Sequence, residues 1–255
     1  MSDTDKEIAF KDLLFRMADD DLIIGHRNSE WTGLGPILEE DIAFSSMAQD
    51  KLGYAQAFYS LVGKNDNISA DALAFTRKEK EFKCCRFVEY PIGEYDYSLL
   101  RHFLFDNAEA LRFELLTYSS DKDLSNLAKK FRSELKYHTM HANLWIEQMG
   151  NSNEETNLRM QTTLNQCFAS ALGIFEDTCN ENKILSSEIF KGEKFLKGYW
   201  LDTITPLINN SGLYLPDINL VDPEYGGRKG YHTDFLQPLL DEMNEVFSID
   251  PNAEW

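Results

Sequence analysis

The amino-acid sequence predicts an all-α protein, an up-down bundle of long helices, and three observations lead to this prediction. No proline occurs between Pro91 and Pro206, and an interior proline costs a helix about 3 kcal/mol. The chain contains no Asn-Gly or Asp-Gly hairpin turn and little strict alternation of apolar and polar residues. Apolar residues recur instead at three- and four-residue spacings, which are typical of one face of a helix.

The first two helices are predicted on either side of a turn-rich connection, residues 28–36 (NSEWTGLGP). The first runs from about Asp5 to Arg27, with a possible break, and the second from near Pro36 to near Val62. The second helix carries one apolar stripe. Its members are Leu38, Ile42, Ser45, Leu52, Ala55, Tyr59 and Val62.

The remaining elements follow from caps, prolines and glycines. Ser69 is expected to be the N-cap of a third helix over residues 70–82 (ADALAFTRKEKEF). Further helices are predicted over about 95–118, 124–149, 154–177, 186–207 and 233–247, with a loop-rich segment at 209–230. Long antiparallel helices with short loops form a bundle, so we expect one domain spanning residues 1–255, with extra helices at its C-terminal end.

Composition excludes several classes of function. The net charge of −18 would repel a nucleic-acid backbone and an anionic membrane surface. No stretch approaches the roughly 20 apolar residues of a membrane span, and the first residues, MSDTDKEIAF, lack the pattern of a secretory signal. The four cysteines, at 84, 85, 167 and 179, form no CxxC pair. They therefore indicate a reducing cytoplasm and argue against a structural zinc site.

Metal sites in bundle cores are built from carboxylates and Glu-x-x-His pairs on facing helices. Glu134 and His138 are the nearest match, four residues apart on one face, and His141 follows one turn later. Asp106 and Glu109 share a face of the preceding helix. The plainer interpretation is that the carboxylates are solvated and that His138 is a hydrogen-bonded core residue. We find no GxSxG motif, and the run GGRKG lacks the spacing of a phosphate-binding loop.

Two further features carry charge. Lys51 and Tyr54 lie on a semi-apolar stripe of the second helix, where a lysine cannot ligate a metal because it has only donors. On this pattern alone we expect Lys51 to be exposed. Basic residues cluster in an otherwise acidic chain, which would suit an anionic ligand or an acidic partner. The alternative is ordinary helix pairing with Glu79 and Glu81. The basic residues are Arg77, Lys78, Lys80, Lys83 and Arg86, with a second patch at Arg228 and Lys229.

Five segments, in order along the chain, resemble the C-subunit family of the ring 1,2-phenylacetyl-CoA epoxidase, the phenylacetic acid degradation protein PaaC family. Five co-linear segments are far more specific than any single motif. They are IIGHRNSEWTGLGPILEEDIAFSSMAQDKLGYAQAFY (23–59), DALAFTRKEKEFKCCRFVEYP (71–91), RHFLFDNAEALRF (101–113), ELKYHTMHANLW (134–145) and GGRKGYHTDFLQPLLDEM (226–243).

The resemblance implies a ferritin-like helical fold and a place in a multicomponent monooxygenase. Such complexes insert one oxygen atom of O2 into the aromatic ring of phenylacetyl-CoA. The iron pair lies in a homologous A subunit, and the C subunit binds the A subunit and is considered structural. A small B subunit and a reductase containing FAD and an iron–sulfur centre, which uses NADPH, complete the assembly.

The resemblance also implies that a metal site has been lost from this chain. The sister subunit has Asp-Glu-Ala-Gly-His where this chain has Asp50-Lys51-Leu52-Gly53-Tyr54. Lys51 and Tyr54 then replace a ligand Glu and a ligand His, and Leu135 replaces a second Glu. We expect no iron pair, and we hypothesise that Lys51 pairs with leftover carboxylates such as Glu134 or Asp106. The degenerate positions are Lys51, Tyr54, Asp106, Glu134, Leu135 and His138.

By the same resemblance, four residues are candidates for contact with the CoA part of the substrate: Glu81, Phe82, Lys83 and Cys84. Two other functions stay open at this point. One is an independent di-iron carboxylate oxidase that uses Glu40, Asp106, Glu134 and His138. The other is a helical interaction protein outside phenylacetate breakdown, and a related complex could also act on another aryl-CoA.

Overall fold

The computed structural model describes residues 2–250, which form helices and connecting segments and contain no strand. This confirms the all-α prediction. Met1 and residues 251–255, which belong to the predicted domain of 1–255, lie outside the described residues. The α-helices in this range are α1 Asp3–Ser29, α2 Leu38–Gly63, α3 Ala70–Phe75, α4 Arg86–Glu89, α5 Tyr95–Leu116, α6 Lys122–Gly150, α7 Glu154–Leu172, α8 Glu181–Ser186, α9 Glu193–Asn210 and α10 Leu236–Phe247.

Four long helices, α1, α2, α5 and α6, form the bundle and contain 27, 26, 22 and 29 residues. α1 and α2 are antiparallel neighbours, because Lys11 pairs with Asp66 while the hydroxyl of Tyr59 bonds Asp19. α5 and α6 are likewise antiparallel, because Asn107 bonds Asn143 while Ser125, near the start of α6, donates to the carbonyl of Thr117 just after α5. Side-chain caps fix where several helices begin. The predicted cap at Ser69 is confirmed, since its hydroxyl accepts a hydrogen bond from the amide of Ala72 at 3.1 Å.

The later helices pack against different earlier helices. α7 and α9 pack against α5 and α6, α8 packs against α1, and α10 packs against α3. Most buried apolar side chains from Ala9 to Leu240 form one continuous core, and a second, smaller cluster consists of Trp31, Ala43, Phe44 and Met47. The largest fully buried side chain, Trp200 of α9, donates from its indole nitrogen to the carbonyl of Leu104 at 3.0 Å. No helix within residues 2–250 is both long enough and apolar enough to cross a membrane.

Three predicted helix boundaries were wrong. The helix expected over 70–82 ends at Phe75, because side chains of α1 bind the backbone that follows it. Asp19 accepts from the amide of Lys83 at 2.6 Å, and Asp20 accepts from the amide of Cys85 at 2.7 Å. α7 ends at Leu172 rather than near 177. The helix expected from Ser186 begins at Glu193. The preceding residue, Gly192, has a φ of +90°, which is not a helical conformation and therefore separates α8 from α9.

Candidate functional site

The pattern of the second helix predicted an exposed Lys51, and this was wrong. The side chain is fully buried between α1, α2 and α5. Its Nζ lies 2.9 Å from Oδ1 of Asp106, hydrogen bonds to Glu109, and lies 3.8 Å from Oδ1 of Asp21. The hypothesised contact between Lys51 and Asp106 is therefore present. We refer to Lys51, Asp21, Asp106 and Glu109 as the Lys51 cluster.

Opposing effects set the charges in the Lys51 cluster. Burial alone would lower the pKa of Lys51, but the carboxylates of Asp106, Glu109 and Asp21 raise it above its usual value. Burial would raise the pKa of Asp106, but the charges of Lys51 and His102 hold it well below its usual value. Burial and the nearby Glu109 raise the pKa of Asp21 well above its usual value. Lys51 is thus charged beside a charged Asp106, whereas burial and Glu109 disfavour the charged form of Asp21.

Two histidines extend the cluster through the second oxygen of Asp106. His102 Nδ1 lies 2.8 Å from Oδ2 of Asp106, and His138 Nδ1 lies 3.2 Å from the same oxygen. The opposite nitrogen of His138 bonds Asp50 of α2 at 3.0 Å. Burial lowers the pKa of His102. The pKa of His138 is raised despite burial, because hydrogen bonds to Asp106 and Asp50 favour its charged form.

The hydrogen bonds continue to Glu40 near the start of α2. His141 Nδ1 lies 3.3 Å from His102 Nε2, and His141 Nε2 lies 3.0 Å from both oxygens of Glu40. Trp145 and Tyr95 also donate to Glu40, at 2.7 Å and 2.5 Å. Burial would raise the pKa of Glu40, but its bonds to His141 and Tyr95 lower it. Both oxygens of this carboxylate are therefore already used by donors.

The other predicted positions lie beside the cluster without joining it. Tyr54 is buried against Phe131 at a centroid distance of 4.4 Å, and its hydroxyl has no hydrogen-bond partner among the described residues. Burial and the charge of Glu109 raise the pKa of Tyr54. Leu135 is fully buried in the core. Glu134 is half-buried, and in residues 2–250 the carboxylates within 4.0 Å of Lys51 are those of Asp21, Asp106 and Glu109.

This set of donors does not fit two iron ions. Iron sites of this class need carboxylate and imidazole ligands, whereas the ammonium of Lys51 offers only N–H donors and Leu135 offers no donor atom. Lys51 also takes up oxygens of Asp106 and Glu109 that a metal would require. In the alternative set, Glu40 is held by His141 and Asp106 by Lys51, and neither carboxylate is free to coordinate. The chemistry that the arrangement performs is charge compensation inside the bundle.

The four candidates for CoA contact are spread over buried and exposed positions. Phe82 and Cys84 are buried, Lys83 is half-buried and forms an ion pair with Asp12, and Glu81 is exposed and accepts from the amide of Lys78 at 2.8 Å. Contact with CoA stays a prediction.

The basic residues nearby serve the fold. Arg77 bonds Asp19 of α1, Arg228 bonds Asp20 at 2.8 Å and 2.7 Å, and Arg86 bonds the carbonyl of Tyr231 at 2.8 Å. Residues 77–85 do not form an α-helix. The alternative interpretation, in which the basic residues pair with Glu79 and Glu81 along a helix face, therefore does not apply.

Sequence reasoning missed Asp21 and His102 as members of this network. Both had a visible signal. Asp19, Asp20 and Asp21 are three acidic residues in the run LLFRMADDDLII, whose other residues are apolar except for Arg16, and this pattern favours burial with partners. His102 precedes Asp106 by four residues, so the two share a helix face.

Comparison with known proteins agrees with the resemblance seen in the five segments. The whole chain, residues 1–255, matches the model of a family described as phenylacetic acid catabolic protein. A curated relative, the C subunit of 1,2-phenylacetyl-CoA epoxidase from Escherichia coli (strain K12), is 31% identical over 246 residues. The alignment covers 94% of this chain and 96% of the relative, so the similarity extends over the bundle and the C-terminal helices alike.

Proposed function

The chain belongs to the phenylacetic acid catabolic protein family, and we propose that it is the structural, non-catalytic subunit of a multicomponent di-iron monooxygenase. This complex epoxidises the aromatic ring of phenylacetyl-CoA in phenylacetate catabolism. The observation that carries the proposal is the fully buried Lys51, whose ammonium pairs with Asp106 and Glu109 at the centre of the bundle.

The physical basis is the charge that Lys51 supplies. Buried carboxylates are costly without a counter-charge. In an oxygen-activating subunit that charge would come from the metal ions. Here a covalently attached ammonium neutralises the same kind of carboxylates, so the bundle stays packed without metal. The chain then contributes a stable helical surface to the assembly, and the ferritin-like topology implied by the family would match it to a partner of the same fold.

The partners follow from this role. The chain would bind and support the homologous A subunit, which carries the iron pair. A small B subunit and a reductase with FAD and an iron–sulfur centre, which uses NADPH, would complete the complex in the cytoplasm. Residues 81–84 would lie at or near the CoA thioester only where the assembled subunits bring it to them.

The first test is the iron content of this chain, purified alone from iron-replete cells. We expect essentially none, because Lys51 occupies the oxygens that iron would need. The A subunit, produced and analysed in the same way, is the control for iron loading. About two irons per chain would contradict the proposal and favour the independent oxidase that uses Glu40, Asp106, Glu134 and His138.

The second test is copurification. A tagged form of this chain should retain the A subunit through gel filtration, and epoxidation of phenylacetyl-CoA by the A subunit with the B subunit and reductase should depend on adding it. Full activity without this chain would contradict a structural role. Failure to bind the A subunit would instead favour an interaction protein outside phenylacetate breakdown.

A further inference from the structure

Cys84, Glu89 and His232 meet in the interior, although His232 lies more than 140 residues from the other two in the sequence. The Sγ of Cys84 lies 3.6 Å from Oε1 of Glu89 and 3.9 Å from Nδ1 of His232, and that nitrogen lies 2.7 Å from Oε1 of Glu89. The side chains of Glu89 and His232 are 0% and 1% exposed, and Cys84 is 0% exposed. None of the three belongs to the Lys51 cluster.

The loop that carries His232 is fixed against the segment that carries Cys84. A Cβ on Gly227 would lie 2.2 Å from the carbonyl oxygen of Cys84, so glycine allows the two backbones to touch. Arg228 then bonds Asp20 and the carbonyl of Lys83, the latter at 2.8 Å. This contact sets the position of His232 before any ligand binds.

We propose that Cys84, Glu89 and His232 form a binding site for a divalent transition-metal ion, with zinc as the best match. A thiolate, a carboxylate and an imidazole are the donors that zinc uses in proteins. A point equidistant from the three atoms lies in their plane, roughly 2 Å from each. That distance suits zinc–nitrogen and zinc–oxygen bonds and is about 0.3 Å short of a zinc–sulfur bond. A tetrahedral ion would therefore lie out of this plane and nearer Nδ1 and Oε1, which would move apart from 2.7 Å, with water as the fourth ligand.

Hydrogen bonds orient His232 and Glu89 in the way that metal ligands are usually oriented in proteins. The Nε2 of His232 donates to the carbonyl of Phe82 at 3.0 Å, which directs the lone pair of Nδ1 toward the site. The amide of Thr233 donates to Oε2 of Glu89 at 2.6 Å, which leaves Oε1 for the metal. A carbonyl behind a ligating histidine and a donor behind a ligating carboxylate are regular features of such sites.

The ligating forms are the thiolate of Cys84 and the bare Nδ1 of His232, so binding one divalent ion releases to solvent the protons that these atoms carry.

The test uses the full chain, reduced and stripped of metal with a chelator, and titrates it with Co²⁺ as a visible probe of zinc sites. We expect one Co²⁺ per chain, a thiolate-to-cobalt charge-transfer band, and displacement of Co²⁺ by Zn²⁺. Cys84→Ser should abolish the band. The substitution should also weaken Co²⁺ binding by more than about 100-fold. Losing a residue that only hydrogen bonds to a metal ligand costs at most about 100-fold, so a larger loss indicates that Cys84 is itself a ligand.

The matched control is Cys85→Ser, because Cys85 is the neighbouring buried cysteine and lies outside the three-residue group. It should keep both the band and the affinity. Cys84→Ser leaves the bond between His232 and Glu89 in place, and circular dichroism checks that both variants are folded. Lack of a band in the unmodified chain, a band that survives Cys84→Ser, or equal loss in the folded Cys85→Ser variant would each overturn the proposal.

Discussion

At the scale of single residues, the ammonium of Lys51 is the group on which the interior charge balance depends. Lys51→Met keeps the length of the side chain but leaves Asp106 and Glu109 buried without their counter-charge. Removing one partner of a buried ion pair costs about 3–5 kcal/mol. We expect the free energy of unfolding, measured by urea titration, to fall by that amount.

The control for this change is Lys64→Met, because Lys64 forms an exposed ion pair with Asp123 on the surface of the same protein. Exposed pairs contribute little to stability, so the urea midpoint of this variant should stay close to that of the unmodified chain. Equal stability of the two variants would show that Lys51 does not neutralise the buried carboxylates.

Two histidines should give stability opposite dependences on pH. The pKa of His138 is raised above 6.5 by Asp106 and Asp50, so its contribution is present below that pH and is lost as pH rises through the folded-state pKa. Burial lowers the pKa of His26, so its contribution is present above 6.5 and is lost as pH falls through the folded-state pKa. The loss of stability in His138→Gln should therefore be larger at about pH 6 than at about pH 8, and in His26→Gln the reverse.

The measurement is urea unfolding of the unmodified chain and both variants at the two pH values. Comparing differences between variants removes the titration of all other groups, provided that the substitution leaves them unchanged. A pH dependence of the same sign in both variants would contradict the assignment of His138 as the charged histidine.

Only some of the partners of Lys51 could be predicted from the sequence. The family resemblance, and not the pattern of the helix, allowed Lys51 to be paired with Asp106 in advance, because a lysine in place of a buried ligand requires a carboxylate. Glu134 was an equally reasonable partner on that ground, but it lies outside the 4.0 Å shell of Lys51 within residues 2–250. The choice between them depends on how α5 and α6 are rotated against α2, and no local pattern specifies that rotation.

At the scale of helices, two glycines weaken elements that have space for a side chain. A Cβ on Gly53 in α2 or on Gly198 in α9 would meet no atom within 4 Å. Alanine loses less backbone entropy on folding, so Gly53→Ala and Gly198→Ala should each stabilise the protein by about 0.5–1 kcal/mol. Thermal and urea unfolding of the single variants and of the double variant would check this.

Gly63, at the end of α2, is the matched control in the same helix. A Cβ there would lie 2.0 Å from the carbonyl oxygen of Ile68, so the backbone would have to move. Gly63→Ala should destabilise the protein by about 1–3 kcal/mol, as overpacking does. Stabilisation by both Gly53→Ala and Gly63→Ala would contradict the explanation, since only the first position has room.

The positions of the helix ends show which local sequence signals are sufficient to predict them. α2, α5 and α6 lie close to their predicted positions, because prolines, polar turns and apolar periodicity coincide at their ends. The segment after Phe75 contains good helix formers, such as Arg77 to Glu81, but it does not continue α3. Its amides and guanidinium groups bind Asp19 and Asp20 of α1, and these contacts outweigh the local preference. The same contacts bring Cys84 to His232, which no spacing in the sequence could have indicated.

At the scale of the whole molecule, the net charge of −18 lies mainly on the surface. Among residues 2–250, eleven acidic and six basic side chains are buried, so five of the excess negative charges are interior and the others are exposed. An excess of like charge destabilises a compact state through self-repulsion. Salt screens exposed charges, and raising NaCl from about 0.05 to 0.5 M shortens the Debye length from roughly 14 to 4 Å.

We therefore expect NaCl to raise the urea midpoint of this protein at neutral pH, although salt also weakens exposed ion pairs such as Lys64–Asp123. The screening of repulsion should have the larger effect on stability, because exposed ion pairs contribute little individually, whereas the acidic excess acts over the entire surface. The same titration near the isoelectric point of about 4.6 is the control, since with no net charge the gain should vanish. A midpoint that falls with salt at neutral pH would mean that surface ion pairs, rather than the acidic excess, dominate the electrostatic contribution to stability.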